Sequence, residues 1–273
     1  MKKNSIFKRI RAFVLAAVLV LPMSVAQMPV SAETDFLVQT NSDGGEVDTL
    51  PQVPSGGNAT FLSGTNFNAK IKEIAGHSGA NFSTADSTIK EIAWSDSETP
   101  AEYRSSDYLV STSDSEQYIF AWMEDGTMYL YTEADHVSLN NQANFMFYEL
   151  DGLESIDFVS NTDSFSGVDT SGTEDMINMF GSCGSLTSLD LSWMDTQNAE
   201  NMNDMFHDTA IGELTLGRSW EFNTATGIPR TNWVSSSTGE VWSYAALETL
   251  YASTDAPTFT STSEGADVLP DEE

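Results

Sequence analysis

A Met-Phe pair recurs at 146–147, 179–180 and 205–206, and each pair is followed by apolar residues at nearly the same offsets. Counted from Phe147 they stand at +6, +9 and +11, as Leu153, Ile156 and Phe158. From Phe180 the offsets are the same, giving Leu186, Leu189 and Leu191. From Phe206 they fall one residue earlier, at Ile211, Leu214 and Leu216. Upstream, Asp169-Thr170 leads to Met176 and Asp195-Thr196 to Met202 with identical spacing. The unit is Asp-Thr-x5-Met-x-x-Met-Phe-x5-Leu-x-x-Leu-x-Leu. Phe-to-Phe spacing is 26 for the last two pairs and 33 for the first two, which places a seven-residue insertion within 159–167. Val137 and Leu139 read as a further, incomplete unit.

This periodicity limits the fold strongly. Leu-x-Leu puts two apolar side chains on one face of a short strand, and the Met-Phe pair covers the same core from the preceding turn. A single unit cannot bury that face, so units must stack on one another. The intervening Asp, Ser, Thr and Asn suit turns. The six Met from Met146 to Met205 read as core filler, since a flexible thioether adapts to irregular gaps; a Met-lined ligand groove is the alternative. The expected fold is α+β: a short leucine-rich-repeat-like solenoid of about 3–4 rungs, with an N-terminal β-hairpin and helix cap and a C-terminal cap.

Outside the repeats, Tyr118 to Met123 and Met128 to Thr132 are aromatic-rich apolar runs flanking Asp125-Gly126. Asp-Gly suits a type I′ turn, because both central residues need positive φ. A hairpin over 118–132 follows. Phe67, Ile71 and Ile74 mark one face of a helix that Gly76 would end, and 88–94 is a candidate strand. The chain then divides into a signal peptide (1–32), an acidic flexible linker (33–60), an N-terminal capping region (61–135), the repeats (136–222), a C-terminal cap (223–253) and an acidic flexible tail (254–273).

Residues 176–206, MINMFGSCGSLTSLDLSWMDTQNAENMNDMF, resemble the BspA-like leucine-rich repeats of bacterial surface proteins, the 26-residue Mycoplasma-type or Listeria-type repeat. Cys183, Leu186, Leu189, Asp190, Leu191, Ser192, Asp195, Thr196 and Met202 match the family unit. Met194 stands where that unit has Phe, and Ala199 where it has Val. The resemblance covers roughly 61–253. It implies a cell-surface location and adhesion, with an extracellular protein, such as the host matrix protein fibronectin, or a glycan as partner.

The N-terminus supports export. Lys2, Lys3, Lys8, Arg9 and Arg11 precede an unbroken apolar run of ten, Ala12 to Leu21, and small residues lead to Val30-Ser31-Ala32. This is the pattern of a secretory signal peptide, too short for the roughly 20 apolar residues of a membrane span. Cleavage after Ala32 removes five of the 11 cations and leaves six against 41 acidic residues, a net charge of −35. Such a chain lacks the clustered Lys and Arg that nucleic acid or an anionic membrane requires. An exported chain whose one Cys forbids an intrachain disulfide fits a Gram-positive-like cell. No membrane span is expected after signal cleavage.

Enzyme chemistry has little support in the sequence. Gly76-His77-Ser78-Gly79-Ala80 lacks the last Gly of a nucleophile elbow and follows a helix rather than a strand. Cys183 occupies a repeat position and reads as a buried small hydrophobe. His77, His136 and His207 are far apart, so neither a metal centre nor a cofactor is expected. A hydrolase with paired carboxylates is the weakest alternative, and a structural surface spacer a stronger one. No catalytic residue is assigned. The candidate ligand contacts are Trp193, at a position the repeat does not require, and Phe165, in the insertion. Affinity carried by the acidic surface should fall with salt; indifference to salt would point to aromatic anchors.

Overall fold

The computed structural model describes residues 39–40, 46–47, 50, 53–158, 167–251 and 257–262, all within the unit that runs from Phe36 to Glu273. Residues 1–32, read as a signal peptide, and the candidate Phe165 lie outside the described residues. The first half contains β1 (Gln39–Thr40), β2 (Glu46–Val47), β3 (Asn58–Thr60), α1 (Gly64–Ile74), β4 (Glu91–Trp94), β5 (Ile119–Glu124) and β6 (Thr127–Thr132). Then come β7 (His136–Ser138), β8 (Ser155–Asp157), β9 (Val168–Asp169), β10 (Ser188–Leu191) and β11 (Glu213–Leu216). The C-terminal part holds β12 (Asn232–Ser235), β13 (Val241–Ser243), α2 (Tyr244–Leu250) and β14 (Thr258–Thr262).

The repeats set the local turns. Each Met-Phe pair sits between two residues with positive φ: Phe145 and Glu149, Asn178 and Ser182, Asp204 and Asp208. Asn and Asp tolerate that region best among residues with a Cβ. The turns bond to one another, with Phe147 N–H donating to Met179 O (2.8 Å), Phe180 to Met205 O (2.9 Å) and Phe206 to Thr226 O (2.9 Å). Their rings stack, Phe147 on Phe180 at 5.2 Å and Phe180 on Phe206 at 6.0 Å, and Trp220 closes the row at 6.2 Å. The Asp-Thr element has its own bonds: buried Thr170 and Thr196 each bridge to the next turn, Thr196 Oγ1 donating to Glu221 O and accepting from Glu221 N–H. All six Met from Met146 to Met205 are buried.

The strands nevertheless overturn the expected leucine-rich-repeat-like solenoid. Such a solenoid lays one strand per rung into a single parallel sheet. Here β3, β7 and β9 form one sheet, β5-β6-β4-β8 a second and β10-β11-β14-β12-β13 a third, with β1–β2 a separate ladder. β8, from the first unit, pairs with β4 of the capping region rather than with β10. β10 and β11 pair in parallel, but β14 then joins β11 antiparallel and ends the parallel run. The result is a β-rich α+β fold with two helices among the described residues. The repeat pattern governs which turns stack; it does not govern which strand takes the free edge of a sheet.

Two boundaries shift as well. β3 begins inside the segment read as a linker, and β14 lies in the segment read as a tail. Phe259 of β14 is buried and packs against Tyr251 at 5.8 Å. The hairpin forms as read, with Asp125 at φ 48° and Gly126 at φ 90°. In α1, Phe67 and Ile71 face the core, and Gly76, at φ 102°, follows the helix and donates to Glu73 O.

Candidate functional site

The hairpin β5–β6 carries apolar residues on both faces. Ile119, Ala121, Met128 and Leu130 point inward and are buried. The alternate positions, Phe120, Trp122, Tyr129 and Tyr131, point outward, because successive strand side chains take opposite faces. Register pairs Phe120 with Tyr131 and Trp122 with Tyr129, so four rings lie in two cross-strand pairs. Tyr118, just before β5, adds a fifth ring 5.8 Å from Phe120.

Half of this face is closed. Tyr103, from a short 3₁₀ turn at Ala101–Tyr103, stacks on Trp122 at 6.1 Å, and Tyr129 stacks beside it at 5.6 Å. Trp122 is buried as a result. The other half borders a pocket that Leu50 and Val53 also line. Tyr118, Phe120 and Tyr131 are half-buried around a pocket of about 50 Å³, which Arg104, Gln117 and Glu133 line with polar groups. The guanidinium of Arg104 is already engaged, donating to Thr99 O (2.8 Å) and to Glu98 Oε2 (2.9 Å). Burial raises the Tyr131 phenol above the ordinary tyrosine value, reinforced by Glu133 and Glu98, and burial raises Tyr118 likewise. Both rings therefore remain neutral hydrogen-bond donors at physiological pH.

Trp193 sits in the turn after β10, a strand of a different sheet from the hairpin. Its ring packs 5.4 Å from Phe158, and its indole N–H donates to Asp190 O at 3.0 Å. Trp193 is thus partly folded onto the core and its single polar group is used internally. The sequence reading did not identify the hairpin face. Its signal was present in the alternation of aromatic residues at 118, 120, 122, 129 and 131. A strand pair with one face for the core needs no second apolar face, so the outer aromatics required a separate explanation.

Groups with chemical potential elsewhere are enclosed or isolated. Lys72 on α1 is buried, its Nζ donating to Phe82 O (3.0 Å) and Tyr148 O (2.8 Å), and burial lowers its pKa to about 8. Cys183 is buried, with its thiol donating to Phe147 O, and burial pushes its pKa up to about 12. His77 Nε2 lies 2.7 Å from Oδ2 of buried Asp86, whose Oδ1 accepts from the N–H groups of Thr88 and Ile89. His207 is exposed and lies beside Asp208, its neighbour in sequence, at 3.1 Å. Among the described residues no three His, Cys, Asp or Glu side chains gather as a metal site, and no helix is long and apolar enough to cross a membrane.

Comparison with family models, with curated proteins and with solved structures gives no match.

Proposed function

We propose that this chain is an exported, non-catalytic module that binds an extracellular protein or a glycan at the cell surface, through the Phe120 half of the hairpin face. The observation that carries this reading is the grouping of half-buried Tyr118, Phe120 and Tyr131 around a pocket edged by Gln117 and Glu133. Aromatic rings offer large, stiff contact area with few rotors to freeze, and dominate many interfaces for that reason. The neighbouring Glu133 carboxylate accepts directional hydrogen bonds. The basic and apolar N-terminus supports export, and the resemblance of 61–253 to BspA-like repeats supports a surface setting. Trp193 is a second, weaker contact candidate.

The test is capture of matrix proteins and glycans from a broad array by residues 33–273. Wild type should retain a ligand that the double variant Phe120→Ala/Tyr131→Ala binds at least about tenfold more weakly, as expected when anchors worth about 1.4 kcal/mol or more are removed. Loss on Trp193→Ala alone would move the site to the turn after β10. Failure of the wild type to capture anything would favour a structural spacer.

A further inference from the structure

We propose that the Phe120 half of the hairpin face is a groove for an extended, proline-flanked apolar segment, and that Leu50, Val53 and Pro54 of this chain's own leader occupy it in cis. Leu50 and Val53 line the same pocket as Tyr118, Phe120 and Tyr131. The side-chain amide of Gln117 donates to Pro54 O. A groove built on the face of a hairpin is thus closed at one end by side chains that come from the leader.

The backbone that follows holds the leader in this place. Gly56 N–H donates to Glu133 O at 2.8 Å, and Gly57 N–H to Asp135 Oδ2 at 3.3 Å. Both glycines have positive φ, 102° and 83°. At these angles a residue with a Cβ would be strained, so the turn requires glycine. This Gly-Gly turn ties the segment before β3 to Glu133 and Asp135 at the end of the hairpin.

The chemistry of the segment suits such a groove. In sequence, Pro51 and Pro54 bracket Gln52-Val53. Proline restricts the chain to extended conformations and leaves carbonyls free as acceptors. Aromatic grooves recognise that combination by ring contact and by a side-chain donor to a carbonyl, here filled by Phe120, Tyr131 and Gln117. A tethered segment is present at a high effective concentration, so two apolar side chains and one hydrogen bond suffice. In its consequence the inference rests on the function proposed above: an outside ligand must displace Leu50 and Val53 to reach the rings.

A proline-specific endoprotease that accepts whole proteins, cutting after Pro51 and Pro54, gives the test. Cleavage after Pro51 and Pro54 in residues 33–273 should be at least about tenfold slower than in a free peptide spanning 45–58. Phe120→Ala/Tyr131→Ala, verified as folded by a cooperative melt, should remove most of that protection. Equal rates in protein and peptide, or protection that survives the double variant, would overturn the proposal. Leu50→Ser/Val53→Ser leaves the groove itself intact and provides a second measurement. It should increase nitration of Tyr118 and Tyr131, and unchanged nitration would again overturn the proposal. Protection without any captured ligand would sink the function reading alone; a ligand bound through Phe120 with an unprotected leader would sink this inference alone.

Discussion

Lys72 shows how one residue can set a pH response for the whole domain. Its ammonium is enclosed by α1 and two loop carbonyls, and desolvation outweighs the attraction of Asp86 and Glu149, which leaves the folded pKa at about 8 against 10.5 for the free side chain. Between those values the unfolded chain binds more protons than the folded one, so unfolding free energy rises with pH. The gain between pH 7.5 and 9.5 should be about 2 kcal/mol, and Lys72→Met should abolish it. Denaturant titrations at the two pH values measure this directly; an equal gain in both proteins would show that another group is responsible. Cys183 has the opposite chemistry. Its buried thiol, held near 12, should resist a thiol reagent in the native protein and react fully in denaturant. Rapid labelling of the folded chain would contradict its place beneath Phe147. Its burial was legible from the repeat position, whereas Lys72 was not: a lysine on a helix face ordinarily points to water.

At the scale of elements, the row Phe147, Phe180, Phe206 and Trp220 joins successive turns through stacked rings. Phe180 is fully buried with a ring on each side, so Phe180→Ala should cost about 3–5 kcal/mol, through the cavity and two lost ring contacts. Thr196→Val tests the second linkage. It keeps the shape but strands Glu221 N–H and Glu221 O, and should cost about 1–3 kcal/mol by denaturant titration. A loss below about 0.5 kcal/mol would mean that water replaces the hydroxyl. Both elements were visible as the Met-Phe pair and the Asp-Thr pair, because each repeats at a constant offset. The hairpin was visible through Asp125-Gly126 and its flanking runs. Its function as a face was less so, since alternation shows which residues share a side but not which side a neighbouring segment will cover. Only the structure shows that the turn at Ala101–Tyr103 closes the Trp122 half and that the Phe120 half borders a pocket instead.

For the whole molecule, the C-terminal segment matters more than its composition suggests. β14 pairs with β11 on one side and β12 on the other, and Phe259 fills the space against Trp242 and Tyr251. Ending the chain at residue 254 should strip partners from both strands and lower the melting midpoint by about 10 °C or more. An unchanged melt would restore the segment to a tail. The formal net charge of −30 belongs to the same scale. A ligand held by Phe120 and Tyr131 should keep its affinity within about threefold between 0.05 and 0.5 M salt, because screening acts on charges and little on ring contacts. A steep decline measured by titration would assign the binding to the acidic surface.

By itself the sequence determined the periodic turns, the buried Met and Phe, the hairpin and the first helix. These depend on offsets of a few residues, and backbone geometry converts such offsets directly into shared faces. Tertiary structure alone decided the sheets: that β8 joins β4, that β14 ends the parallel run at β11, and that Leu50 and Val53 reach the aromatic groove. Those outcomes depend on which distant segment competes best for a free strand edge or an uncovered ring. Edges offer the same N–H and C=O groups to every candidate, so no local pattern encodes the choice.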